Sequence, residues 1–304
     1  MRKIFQMNPF CWLPPLLLAY IMCVSIGQAA AAGPDTNPAV SLRAKYAELG
    51  PQLSDNQFKR PLHLDSAESP TQLKGDIYAL VDYPFAAVKQ ALSEPTHWCE
   101  LLILHLNIKY CRASAGTAGS MLAVSIGTKH HQPLAQAFGV EFAFNPAATT
   151  PEYFDLRLNA KKGPLGTSDY RIRLEAATVQ SGKTFLHLTY SYSYNFAGRA
   201  AMQAYLATIG SDKVGFTITG KQTAGQPDHI GGVRGVVERN TMRYYLAIDA
   251  YLGGLSTPPA QQLEKRLESW FASTEHYPRQ LHEVDRAAYL DMKRREYLRQ
   301  QQSR

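Results

Sequence analysis

The sequence predicts an α+β fold: a curved antiparallel sheet gripping a long C-terminal helix, with an inserted helix before it and an extra helical tail beyond. Three observations predict it. Between Asp76 and Tyr194, apolar and polar residues alternate in one segment after another, as half-buried antiparallel strands require. Gly231 to Leu252 carries the longest helical pattern in the chain. A hydrophobic content of 45% against 19% charged, over 304 residues, is enough to bury a substantial core.

The first residues read as an export signal. Arg2 and Lys3 give a positive start, and Phe10 to Ile26 is apolar apart from Pro14, Pro15 and Ser25. Gln28 to Gly33 then supplies small residues for cleavage near Ala32. A retained anchor is the alternative, but this stretch with its Pro pair is short against the roughly 20 residues of a span. Met22 before Cys23 is a poor setting for lipidation. Residues 1–32 are therefore expected to leave, with the mature chain in the periplasm. Cleavage takes Arg2 and Lys3 off a formal net charge of +7. The remaining basicity attracts anionic headgroups weakly, which allows a peripheral membrane contact. It is not the dense basic stripe of a nucleic-acid binder, so nucleic acid is not an expected partner. Cys11 and Cys23 leave with the signal, and Cys99 and Cys111 remain as a natural pair in an oxidising compartment. Their short loop would stabilise by about 3 kcal/mol; two buried free thiols are the alternative.

Residues 33–75 form a lead-in. Pro38 to Leu49 suits a short helix with Leu42, Tyr46 and Leu49 at helical spacing, and Pro51, Pro61 and Pro70 divide the remainder into a strap over the surface. The main domain is expected over 76–254. Ile77, Ala79 and Val81 mark its first strand. Asp82 is placed to cap a helix with Pro84 near its first position, and Phe85, Val88, Ala91 and Leu92 follow at helical spacing. His97 to Leu106 suits a second helix, and Ile108 to Cys111 a strand. Ala113 to Ser120 reads as a small-residue turn. Strands follow over Met121–Ile126, Val140–Phe144, Phe154–Leu158, Tyr170–Leu174 and Leu186–Tyr194, with turns at Gly163–Pro164 and Ser181–Gly182. Ala197 to Ile209 has helix formers, Gly210 stops it, and Val214 to Thr219 returns to a strand pattern. Gly253–Gly254 ends the long helix. The tail over 255–304 is mostly helical, with stripes at Leu263, Leu267, Trp270 and Phe271 and at Leu281, Val284, Ala288 and Tyr289. Lys293 to Arg295 are read as final-turn cations.

The segment "DIYALVDYPFAAVKQALSEPTHWCELL", with Trp98 as an aromatic beside the second helix, and "GGVRGVVERNTMRYYLAIDAYL" carry a resemblance. Over about Asp76 to Leu252 the chain resembles the START-like helix-grip superfamily of lipid-transfer and polyketide-cyclase-like proteins. The helix at Ala197–Ile209 and the tail after Gly253 depart from the minimal pattern. The resemblance implies a cavity between curved sheet and long helix for an apolar ligand.

On the residues themselves, the even-numbered side of the Leu186–Tyr194 strand would turn Leu188, Tyr190, Tyr192 and Tyr194 inward. Buried tyrosines combine large apolar area with a hydroxyl. Phe142, Phe144, Phe154 and Leu156 join them if their strands are in register, and Met242 and Tyr245 meet them from the helix. A filled core is the alternative. Glu238 and Arg243 are candidate polar groups at such a pocket. Arg239 and Arg243, one helical turn apart, need Glu238, Asp169 or a ligand carboxylate to compensate them.

Catalytic and metal motifs do not survive inspection. Ser181–Thr184 resembles the end of a phosphate loop, but Ala177 stands where a Gly is required. Ala123–Gly127 resembles a nucleophile elbow without its first Gly. His130–His131, and His97 with Cys99 and His105, lack zinc spacing. No cofactor is expected. The sequence thus points to a periplasmic binding or carrier protein for an apolar or amphipathic small molecule, such as a lipid. A cyclase- or hydrolase-like enzyme on the same scaffold and an envelope interaction protein with a filled core are the alternatives.

Overall fold

The computed structural model describes residues 37–116, 119–179, 182–208, 210–223 and 226–302. The expected export signal, with Cys11 and Cys23, lies outside them, as do Ser181 and Ile209. Helices α1 (Pro38–Glu48) and α2 (Gly50–Ser54) lead into strands β1 (Leu62–Glu68) and β2 (Gln72–Val81). Helices α3 (Phe85–Leu92) and α4 (Pro95–Leu102) follow. Then come β3 (Ile108–Gly116), β4 (Gly119–Ile126), β5 (Phe138–Thr149), β6 (Tyr153–Lys162), β7 (Thr167–Thr178) and β8 (Thr184–Tyr194). Helix α5 (Phe196–Ala207), a hairpin of β9 (Ile218–Thr223) and β10 (Gln226–His229), and the long α6 (Gly232–Gly253) come next. The chain ends in α7 (Pro259–Glu275), α8 (Pro278–Leu281) and α9 (Arg286–Gln302).

Eight strands form one antiparallel sheet in the order β1-β2-β8-β7-β6-β5-β4-β3. Its curvature comes from β5, which changes partner along its length. Phe138–Phe144 pairs with β4, whereas Ala143–Thr149 pairs with β6 across an irregularity at Pro146–Ala148. The two pairings overlap only at Ala143 and Phe144, so the sheet folds about that point. Bulges and partner changes are how a sheet bends without leaving buried backbone unpaired. Helix α6 lies in the resulting concavity. Buried positions run all around it, from Val237 through Leu252, as expected of a helix covered by a sheet on one side and by α7 on the other. This is the helix-grip arrangement. The crossing over β2 is so close that a Cβ at Gly75 would stand 2.2 Å from Thr241 Oγ1.

The outer face carries a charged ladder instead of core. Lys74 and Asp76 of β2, His187 and Thr189 of β8, Arg173 and Glu175 of β7, and Asp155 and Arg157 of β6 are cross-strand neighbours. Signs alternate along β2, β7 and β6, but directly opposite residues of β6 and β7 carry like charge, Asp155 with Glu175 and Arg157 with Arg173, so the favourable pair is the diagonal one from Arg173 to Asp155 at 2.8 Å. Beside the ladder, α1 buries Ala39 and Leu42 and lays Tyr46 against Phe185, with ring centroids 5.1 Å apart. Cys99 of α4 and Cys111 of β3 form a disulfide.

Several sequence expectations are corrected. The sheet begins at Leu62, inside the expected lead-in, because Leu62–Glu68 pairs with Leu73–Ala79. Ala113–Gly116 and Gly119–Ser120 continue as paired strand, so small residues there extend a hairpin instead of forming the turn. Asp82 does not cap α3; Pro84 occupies that position, and Asp82 meets Lys183 at 3.5 Å. The strand pattern at Val214–Thr219 yields β9, which pairs only with β10 and stays off the main sheet. Trp270 and Phe271, the contact patch an envelope interaction protein would need, are covered within the fold. They pack on Tyr289 of α9, Trp270 stacking at 5.0 Å and Phe271 at 5.5 Å. Lys293–Arg295 sit mid-helix in α9, not in its last turn.

Candidate functional site

The alternation read in β8 places Leu188, Tyr190, Tyr192 and Tyr194 on the inner face, all buried. Tyr170 joins them from β7. The β7–β8 register shifts between Ser168 and Arg171, and Asp169 has a positive φ of 50°. Tyr170 follows this irregularity and stacks on Tyr192, with centroids 5.2 Å apart and planes 12° apart. Tyr190 lies 5.6 Å from Tyr192, and Phe142 meets Tyr170 edge-on at 6.4 Å.

Helix α5 forms the opposite wall. Asn195 caps it, accepting from the Gly198 amide at 3.0 Å, while its own N–H donates to Gly166 carbonyl at 3.1 Å. A side chain at Gly198 would crowd Gly166 O at 3.0 Å and Tyr194 Cβ at 3.1 Å, so Gly is what lets α5 close on the turn before β7. Between α5, α6 and the tyrosines lies a cavity of about 270 Å³. Its wall is Tyr170, Tyr190 and Tyr192 from the sheet, Met202 and Tyr205 from α5, and Val236 and Asn240 from α6. It reaches the surface beside Leu165, an exposed apolar residue with a φ of 53°. Exposed Phe196 starts α5 at the same end of the sheet.

The wall holds no carboxylate, imidazole or thiol among the described residues. Burial raises the phenols of Tyr170, Tyr190 and Tyr192 above the ordinary tyrosine value, so all three keep their protons at neutral pH. They are hydrogen-bonding groups in an apolar wall, not bases.

Of the residues singled out in the sequence, Tyr190 and Tyr192 line the cavity, and Phe142 backs Tyr170. Phe144, Phe154, Leu156, Leu188 and Met242 are buried in the main core. Tyr194 donates to Ser69 carbonyl at 2.9 Å. Tyr245 is buried with Arg60 over its ring at 5.8 Å. Glu238 acts on Arg239 through its charge without an ion-pair contact to either arginine. Its carboxylate accepts from the Phe216 and Thr217 amides at 2.5 and 2.9 Å, and from the Thr217 and Ser66 hydroxyls at 2.7 and 2.6 Å. Asp169 is exposed. Arg243 pairs instead with Glu283, at 2.7 Å, and donates to Asn240 Oδ1 at 3.4 Å. Tyr170, Met202, Tyr205 and Asn240 were missed as site residues. Tyr170 carried the inward-alternation signal; the α5 pair did not, because nothing in sequence says where an inserted helix will lie.

A broader groove of about 1010 Å³ opens where the start of β5 and the end of β6 part. Glu141, Asn159, Lys161 and Arg171 are on its wall, and Tyr170 stands between it and the smaller cavity. On the far face of β8, His187 bridges Asp76 and Glu175 at 2.9 and 3.0 Å and stacks on Tyr78 at 4.1 Å, remote from the tyrosine cavity.

No protein-family model and no functionally described protein matches the sequence. Solved structures do align with the fold. Truncated norcoclaurine synthase from Thalictrum flavum shares 12% identity over 45% of this chain and 86% of its own, at a TM-score of 0.33. Ara h 8.0201 shares 10% over 63% and 97%, at 0.34. An aromatase/cyclase from a Streptomyces species shares 11% over 73% and 100%, at 0.30.

Proposed function

We propose that this chain is a periplasmic binding or carrier protein for a small apolar or amphipathic molecule, held by Tyr170, Tyr190 and Tyr192 against α5 and α6. The observation that carries the reading is the tyrosine-walled cavity that reaches the surface beside Leu165. Apolar walls with a few polar tips are the usual construction of small-molecule sites. An apolar cavity of about 150 Å³ takes a benzene, so 270 Å³ that opens beside Leu165 suits two fused rings with a third at the opening, or a stretch of one acyl chain. Exposed Leu165 on the cavity wall offers an apolar edge to a ligand entering from an apolar phase such as a membrane surface. Among the described residues no helix is long and apolar enough to cross a membrane. The periplasmic location rests on the export pattern before Ala32. A binding role is preferred over a cyclase or hydrolase because burial keeps the phenols of Tyr170, Tyr190 and Tyr192 protonated, where acid–base chemistry needs a group titrating near neutrality.

The test is to fill the space. Ala201→Trp, on the cavity wall of α5, should abolish the fluorescence response to the neutral dye N-phenyl-1-naphthylamine and leave Tm within a few degrees of the parent. A parent protein that gives no dye response, or a variant that responds like the parent, contradicts the proposal.

A further inference from the structure

Behind the Tyr205–Asn240 end of the cavity, positive charge gathers around a single carboxylate. Glu283 receives Lys129 and Arg243 at 2.7 Å each and Lys213 at 3.8 Å. Burial alone would push the Glu283 carboxyl up, but Arg243, Lys129 and Lys213 outweigh it and hold it below the usual carboxylate range. Arg239, almost fully buried one turn before Arg243, donates to Val214 carbonyl at 3.1 Å and lies close enough to Tyr205 to feel it electrostatically. Glu238, adjacent to Arg239 in α6, adds a second carboxylate charge while its oxygens hold the Phe216, Thr217 and Ser66 donors. Arg243 is 2% exposed, and its Nε is buried without a hydrogen-bond partner. His105 brings no negative charge: burial first, then Arg243, Lys293 and Lys129, push its imidazole well down, so it is neutral.

These cations touch the cavity wall directly. Lys129 Nζ donates to the Tyr205 hydroxyl at 3.2 Å and lies 5.5 Å from its ring centroid. Arg243 holds Asn240 at 3.4 Å. Lys129, Lys213, Arg239 and Arg243 face the ion-paired Glu283 and the charge of Glu238 beside Arg239, so four cations against two carboxylates in a largely buried place leave an excess of positive potential, which low local dielectric magnifies. Such a field is relieved by an anion. Lys129 and Lys213 keep 19% and 23% of their side-chain surface exposed, so their ammonium groups reach solvent even while Lys213 donates to His282 carbonyl at 2.6 Å.

We infer that the occupant is acid-bearing: its apolar part lies against Tyr170, Tyr190 and Tyr192, and its carboxylate or phosphate is met by Lys129 and Arg239 at the Tyr205–Asn240 end. This rests on the binding reading above and narrows its ligand class.

Displacement of N-phenyl-1-naphthylamine by octanol, octanoate and octyl phosphate at pH 7 separates the two claims. The inference expects an acid to displace dye about tenfold more tightly than octanol, the size of one charge-assisted hydrogen bond. Octanoate ahead of octyl phosphate assigns a carboxylate, and the reverse order a phosphate; both support the inference. Lys129→Gln should erase most of the preference and leave octanol unchanged, whereas Lys129→Arg keeps it. Lys213→Gln, at a more exposed position, serves as the second variant and should lower the preference in the same direction. Equal displacement by octanol and both acids, with dye still binding, overturns the inference and leaves the binding reading standing. No displacement by any of the three, with no dye response, overturns both.

Discussion

At the scale of single residues, the outer face holds a pH sensor of stability. Burial alone would lower the His187 imidazole, but its bonds to Asp76 and Glu175 outweigh this and raise it above its ordinary value. Burial would likewise raise Asp76 and Glu175, yet His187, with Lys74 and Thr189 on one side and Tyr153 and Arg173 on the other, brings both down. A raised histidine contributes fully below its unfolded value of about 6.5 and loses that contribution as pH rises through the folded value. The lowered carboxylates contribute above their unfolded values, about 4, and lose that as pH falls. Stability from this group should therefore be greatest between about pH 4.5 and 6.5 and decline on the alkaline side. His187→Gln should cost about 2 kcal/mol at pH 6 and flatten that alkaline decline, measured by urea unfolding from pH 5 to 9. An unchanged slope would show that His187 stays neutral throughout.

At the scale of elements, two contacts set how helices meet the sheet. Gly75 lets α6 cross β2, since a Cβ there would collide with Thr241. Gly75→Ala should cost about 2 kcal/mol by overpacking, a fall in Tm of roughly 5 °C by thermal melt, and Thr241→Ser should not rescue it because the clashing atom is the hydroxyl. Helix α9 covers the edge strand β3. Gln300 Oε1 accepts from the Cys111 amide at 3.0 Å, and Lys293 donates to His105 and Ile108 carbonyls at 2.7 Å each. Lys293 and Lys109 share Glu296 in this buried seam, at 2.7 and 3.1 Å. Removing residues 286–304 should bare the β3 edge, strip the cover from Trp270 and drive the chain to aggregate, as seen by size exclusion. A truncated chain that remains monomeric with a native melt would make the tail dispensable to the fold.

At the scale of the whole molecule, alternation made the strands legible. The run Leu186–Tyr194 announced which face of β8 is buried, and the inward tyrosines are where the pattern put them. The pattern of Gly231–Leu252 likewise marked the gripped helix. What alternation does not carry is partner choice. Nothing local to Phe138–Thr149 says that β5 trades β4 for β6 midway, and nothing in Leu62–Glu68 separates an edge strand from a strap. The same limit applied to the site. Tyr190 and Tyr192 were readable from one strand, but the wall facing them depends on where α5 docks, and the partner of Arg243 came from the tail, at Glu283. Long-range packing decides these, and it leaves no periodic trace.

The central claim is that the tyrosine cavity holds a ligand. Native mass spectrometry of the protein, purified without detergent or organic solvent, tests it most directly. The parent should carry a stoichiometric adduct that dissociates as an acid-bearing apolar molecule, and Ala201→Trp should fly at its bare polypeptide mass. Bare mass for a parent that also ignores neutral dye, or the same adduct on both proteins, would contradict it.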